Sequence, residues 1–130
     1  MGNIEKIVLI VEDDKELGKS LADKLASIDC RVLHAFDGEM AVELIVDERP
    51  SLILLDLMLP KLDGFKVLER LRNYPDKDLS VIKVVVLSNL WSDKDILRAK
   101  ALKIEEYYVK SNTNLDDVAT KVRQLMAEVK

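Results

Sequence analysis

The sequence predicts an α/β fold: a doubly wound, five-stranded parallel sheet with helices on both faces. Three observations lead there. Segments rich in Val, Ile and Leu alternate five times with segments of helical periodicity, and that alternation builds a parallel sheet with right-handed crossovers. The runs IVLIV (7–11) and LILL (52–55) carry no polar alternation, as expected of strands covered on both faces. Four of the five apolar segments end in polar residues, Glu12-Asp13, Asp56, Ser88 and Lys110. Open α/β sheets bind their ligands at such strand ends.

The elements follow in order. Ile7–Val11 is a buried strand that ends in Glu12, Asp13 and Asp14. Leu17, Leu21, Leu25 and Ile28 then form one helical stripe, with Asp13 or Asp14 able to cap its start. Residues 31–36 read as a mixed strand nearer an edge. Asp37-Gly38 turns the chain into a short helix carrying Met40, Ala41, Leu44 and Ile45, which Pro50 closes. After the central strand the chain turns through Pro60, Asp63 and Gly64 into a helix with Phe65, Leu68 and Leu71 inward. Asn73-Tyr74-Pro75 stops that helix. Residues 81–87 (VIKVVVL) are the fourth strand, ending in Ser88-Asn89. Ser92-Asp93 opens a weakly amphipathic helix over 94–102, expected to be the least stable. Residues 106–109 are a short fifth strand ending in Lys110. Residues 112–114 cap a last helix that turns Leu115, Val118, Val122, Leu125 and Val129 inward. No internal repeat, low-complexity tract or linker interrupts this order.

The totals narrow the function. At 130 residues the chain fits one domain with a sizeable core. Hydrophobic residues at 48% and charged residues at 34% mark an ordered globular chain. A net charge of −4 argues against direct nucleic-acid binding, which needs a basic footprint. The single cysteine, Cys30, excludes an internal disulfide and suits a reducing compartment. No apolar run reaches the length of a membrane span. Met1-Gly2 opens like an acylation signal, but Lys6 stands where Ser or Thr is needed. With a strand starting at Ile7 and no secretory signal visible, a cytoplasmic location is expected.

The strand-end residues make coherent chemistry once a parallel sheet gathers them at one rim. Three carboxylates held close repel unless a hard cation binds, and oxygen donors suit Mg²⁺. One neutralised carboxylate can then act as a nucleophile and become an aspartyl phosphate. Phosphoryl transfer asks mainly for positioning and charge neutralisation, which a Lys ammonium and a Ser hydroxyl can share with the metal.

Through VEDD (11–14), LLDLMLPKLDG (54–64), VLS (86–88) and YYVK (107–110), the chain resembles a response-regulator receiver domain. The likeness is to the stand-alone, chemotaxis-regulator kind and covers essentially the whole chain. It implies a single receiver domain over 1–130 with the flavodoxin-like strand order 2-1-3-4-5. It implies a phosphorylation-controlled switch of a two-component system, charged by a sensor histidine kinase or phosphotransfer protein. Asp56 would be the phosphoacceptor, and Glu12, Asp13, Asp56 and the backbone carbonyl of Met58 would hold Mg²⁺. Ser88 would bond the phosphoryl group and Lys110 would pair with it. Tyr107 would turn inward as Ser88 moves, remodelling a face that binds a downstream protein. Pro60 and Gly64 match the turn after the phosphorylated strand. Such a protein is not an enzyme on other substrates, although it is expected to assist its own phosphorylation and dephosphorylation.

Three departures matter. Ser111 replaces the usual proline, so a trans Lys110–Ser111 bond is expected, because cis before a non-proline costs about 2.5–4 kcal/mol. Asn89 replaces a small residue, and Met58 and Leu90 are apolar where the family is often polar. These three residues are expected to govern access to the phosphoryl group and to slow its loss. A haloacid-dehalogenase-type phosphatase would need a second acid where Met58 stands, and a flavin module would not tolerate Glu12-Asp13-Asp14 at its phosphate loop. A degenerate receiver acting only in protein binding would normally lack one of the key residues. His34, the only histidine, reads as an ordinary strand residue, and Trp91 as packing at a helix start or part of the switching surface.

Overall fold

The computed structural model describes residues 5–129, so the Met1-Gly2 start lies outside the described part. Five strands, β1 (Ile7–Val11), β2 (Arg31–Ala35), β3 (Leu52–Leu55), β4 (Lys83–Ser88) and β5 (Glu106–Val109), form one sheet in the order 2-1-3-4-5. Every pairing is parallel. The helices are α1 (Lys15–Leu25), α2 (Gly38–Glu48), α3 (Gly64–Arg72), α4 (Lys77–Ser80), α5 (Asp93–Ala101) and α6 (Leu115–Ala127), with a 3₁₀ turn at Lys110–Asn112.

Alternation along the strands divides the core in two. Val8, Ile10, Leu52, Leu54, Val85 and Leu87 face α1 and α6, where they meet Leu21, Leu25, Val118, Val122 and Leu125. Leu9, Val11, Ile53, Leu55, Val84 and Val86 face the other way, onto Ala41, Ile45, Phe65, Leu68 and Leu71 of α2 and α3. This two-sided cover is why β1 and β3 tolerate no polar residue within their runs. β2 is an edge strand, as its mixed composition suggests, and its residues are mostly half-buried.

Side-chain caps start each of the described α-helices. Asp14, Asp37, Asp63, Asp76, Ser92 and Asn114 each accept from a backbone N–H of the first turn, satisfying donors the helix itself cannot use. Asp14 rather than Asp13 takes this role at α1, which leaves Asp13 free for the site.

The structure corrects the sequence reading between 73 and 83. A short helix, α4, follows the Pro75 break, making six α-helices among the described residues rather than five. β4 starts at Lys83, and Val81, read as strand, lies after α4 with 72% of its surface exposed. At the other end, α6 stops at Ala127, so Val129 falls past the helix.

Arg72 accounts for much of this local order. From the end of α3 its guanidinium donates to the carbonyls of Leu102 (2.7 Å), Ser80 (2.9 Å), Ile82 (2.8 Å) and Lys103 (2.7 Å). It thereby binds the segments entering β4 and β5 to one planar group. Partial burial lowers its pKa, against the raising effect of the Glu105 charge. Hydrogen bonds to a charged donor contribute about 1.5–3 kcal/mol each in mutational terms. Arg72→Met is therefore expected to destabilise the fold by roughly 2–4 kcal/mol, visible as a lower urea midpoint. A wild-type midpoint in that variant would remove Arg72 from this role.

Candidate functional site

Four strand ends converge. Glu12 follows β1, Asp56 follows β3, Ser88 ends β4 and Lys110 follows β5. Glu12 and Asp56 are 2% and 4% exposed, and Ser88 is fully buried. Isolated carboxylates at that depth would cost several kcal/mol. The Lys110 ammonium offsets this by spanning both, 2.6 Å from Glu12 Oε1 and 2.8 Å from Asp56 Oδ2.

The remaining carboxylate oxygens are also held. The Asp14 N–H donates to Glu12 Oε2 (3.1 Å), and the Met58 N–H to Asp56 Oδ1 (3.0 Å). The Asp56 backbone N–H donates to the Val11 carbonyl and the Glu12 N–H to that of Ala35, each at 3.0 Å, which continues the sheet pattern to the two buried carboxylate residues. Asp13 is exposed, yet a carboxylate oxygen from each of Glu12, Asp13 and Asp56 lies within 4.8 Å of the others.

One ammonium thus faces three carboxylates. Burial pushes the Glu12 carboxyl up to about 7, against the lowering effect of its bonds to Lys110 and Asp14. Burial alone would lower the Lys110 pKa, but its bonds to Asp56 and Glu12 prevail and raise it. A hard-oxygen cluster with excess negative charge fits a divalent cation.

The loop after β4 is tied to the site's edge. Ser88 Oγ accepts from the Leu90 N–H at 3.3 Å, and the Tyr107 hydroxyl donates to the Leu90 carbonyl at 2.7 Å. Burial, helped by the charges of Asp95 and Asp56, pushes the Tyr107 phenol up to about 12, so it remains a donor. Asn89 is exposed and Met58 is 53% exposed. The Leu90 side chain is half-buried against the α2–α3 half of the core. All described peptide bonds are trans, Lys110–Ser111 among them, as expected for Ser in place of proline.

Two contacts escaped the sequence reading. A Cβ on Gly64 would lie 2.3 Å from the Asp56 carbonyl oxygen and 2.5 Å from Leu57 Cα, so the start of α3 can close against the end of β3 only without a side chain. The Asp63-Gly64 turn signal was legible, but not this approach. His34 Nε2 lies 2.8 Å from the Glu12 carbonyl oxygen. Nothing in an isolated edge-strand histidine announces a partner 22 residues away.

The response regulator receiver domain model matches residues 8–123. Response regulator Rcp1 of Synechocystis is 35% identical over 125 residues, spanning 89% of this chain and 83% of Rcp1. The DNA-binding dual master transcriptional regulator RpaA of the same organism is 33% identical over 119 residues, 92% of this chain and 48% of RpaA. The chain spans less than half the length of the curated transcriptional regulators it matches. The solved Mn²⁺-bound form of Rcp1 is 33% identical, with a TM-score of 0.76 and coverage of 95% of this chain and 93% of that one. The Francisella response regulator 1452 receiver domain has a TM-score of 0.84 at 28% identity, covering 97% and 100%.

The raised Glu12 pKa sets a pH dependence. Between its ordinary value of 4.5 and about 7, the native protein holds a proton that the unfolded chain has released. Metal-free stability is therefore expected to fall as pH rises through that window. A saturating divalent cation should remove the fall, since it replaces the proton and binds only the native cluster. Urea midpoints across the window, compared with Glu12→Gln to isolate this group, check both signs.

Proposed function

This chain belongs to the response regulator receiver family, and from that premise we propose that Asp56 is its phosphoacceptor. The family works as phosphorylation-based signalling switches, charged by kinases. On this reading residues 1–130 form a single cytoplasmic receiver domain. A sensor histidine kinase or a phosphotransfer protein supplies the phosphoryl group. An Asp56 carboxylate oxygen forms the new bond to phosphorus as the bond to the donor nitrogen breaks, leaving an acyl phosphate.

The observation that carries the reading is the Lys110 ammonium shared by Glu12 and Asp56. The ammonium can move from a carboxylate oxygen to a phosphoryl oxygen without leaving the site. Glu12, Asp13, Asp56 and the Met58 carbonyl would hold Mg²⁺, which supplies charge neutralisation when bound. Ser88 Oγ has only a long bond to the Leu90 N–H to give up. Giving up that bond would release the Leu90 main chain, whose carbonyl holds the Tyr107 hydroxyl, and so couple the turn of Ser88 to Tyr107.

That coupling biases a two-state equilibrium of the face built from α5, β5 and α6. A downstream protein then reads the face, rather than nucleic acid directly, given the net charge of −4. The protein acts on no other substrate but assists its own phosphorylation and dephosphorylation.

Asp56→Asn is expected to abolish the mass gain produced by a small phosphodonor with Mg²⁺. Robust labelling of that variant at another residue would refute the assignment.

The lifetime of the phosphorylated state gives an independent check. Water must attack in line, and neither Met58 nor Leu90 offers a useful group to orient it. Slow decay, and slow charging by small donors past Asn89, are expected. Met58→Asn with Leu90→Glu should speed loss of phospho-Asp56 about tenfold, a barrier change of about 1.4 kcal/mol. The measurement is the decay of phosphoprotein after donor removal, and equal rates would dissociate these side chains from access.

A further inference from the structure

Glu12 and Asp13 supply two of the three clustered carboxylates, and a single peptide unit joins them. The orientation of that unit decides how a buried carboxylate and an exposed one stand relative to each other. Its carbonyl, that of Glu12, receives the contact from His34 Nε2 at 2.8 Å. A carbonyl has no proton to give, so Nε2–H is the donor. The Glu12 N–H is meanwhile committed to Ala35 at 3.0 Å. Neighbouring residues of the edge strand thus grip Glu12 on both sides, one by main chain and one by imidazole.

The ring has a built seat. His34 pairs with Ile10 in the sheet register and projects toward α1. There α1 presents Gly18, where an added Cβ would lie 2.0 Å from His34 Cε1 and 2.5 Å from Nε2. Phe36 flanks the imidazole with ring centroids 4.2 Å apart. A helix that omits a side chain against this ring, and an aromatic beside it, hold the donor nitrogen at the Glu12 carbonyl.

We propose that His34 is a positioning residue for the divalent-cation site, fixing the Glu12–Asp13 peptide so that both carboxylates face one ion. It touches neither ion nor phosphoryl group and acts through that peptide alone. The inference rests on the reading of Glu12, Asp13 and Asp56 as cation ligands. Removing an outer partner of a metal ligand typically weakens affinity 10–100-fold.

Two substitutions separate donation from packing. His34→Phe keeps a ring in the Gly18 seat and loses the donor, whereas His34→Gln abandons the ring but can place an amide N–H near the same carbonyl. Mg²⁺ affinity is measured by calorimetry, alongside the urea midpoint of the metal-free protein. The expected result is affinity weakened at least tenfold in the Phe variant and largely kept in the Gln variant, whatever the order of their midpoints. Wild-type affinity in the Phe variant, or its loss in the Gln variant alone, would overturn the proposal in favour of packing. Should neither variant fold, long-range proton–nitrogen spectra of the wild-type imidazole decide: an Nε2–H that shifts on Mg²⁺ addition supports the assignment, and an Nδ1–H tautomer or an unshifted ring refutes it. Failure of the wild-type protein to bind Mg²⁺ at all would instead refute the ligand reading, and this inference with it.

Discussion

The ammonium of Lys110 makes the rest of the rim possible. Two carboxylates that are almost wholly buried lie within 3 Å of it, at 2.6 and 2.8 Å, and without it their desolvation would oppose folding. A Lys on this duty must arrive from a strand whose end reaches the same rim. The parallel order 2-1-3-4-5 achieves this by leading every strand in the same direction. The chain thus solves a problem of solvation with topology. Loops of a few residues suffice, because the strands have already brought the charges together.

The surrounding order serves to keep those loops short and definite. The Asp14 cap starts α1 immediately after Glu12 and Asp13, and Asp63 starts α3 where Gly64 allows it to lie against the Asp56 backbone. The acidic residues between 12 and 14 thereby divide their labour. Glu12 is buried, Asp14 caps α1 and Asp13 remains in solvent near the cluster.

The fold was legible because its signals are local and repeated. IVLIV and LILL could be little other than two-sided strands, and their polar ends marked the rim. The convergence of Glu12, Asp56, Ser88 and Lys110 followed from parallel order without any knowledge of distances. The losses came where tertiary contacts outweigh local preference. Val81 and Ile82 look like the start of the VIKVVVL strand, yet the cap of α4 and the carbonyls held by Arg72 delay the ladder to Lys83. Arg72 has no sequence signature, since all four of its acceptors are main-chain atoms. His34 was invisible for the same reason, with a backbone oxygen as its partner.

Arg72 stands at the opposite end of the sheet from the carboxylates. It grips residues that enter β4 and β5, while Ser88 and Lys110 lie where those strands finish. Six residues of β4 set the two ends about 20 Å apart, beyond the range at which substitutions usually couple. A change at Arg72 is therefore expected to act on stability without disturbing the rim, although the rim's own buried charges also weigh on folding. Substitutions at the Arg72 end can thus change stability while the opposite rim keeps its charge arrangement. An engineer seeking a hardier version would work at that same end.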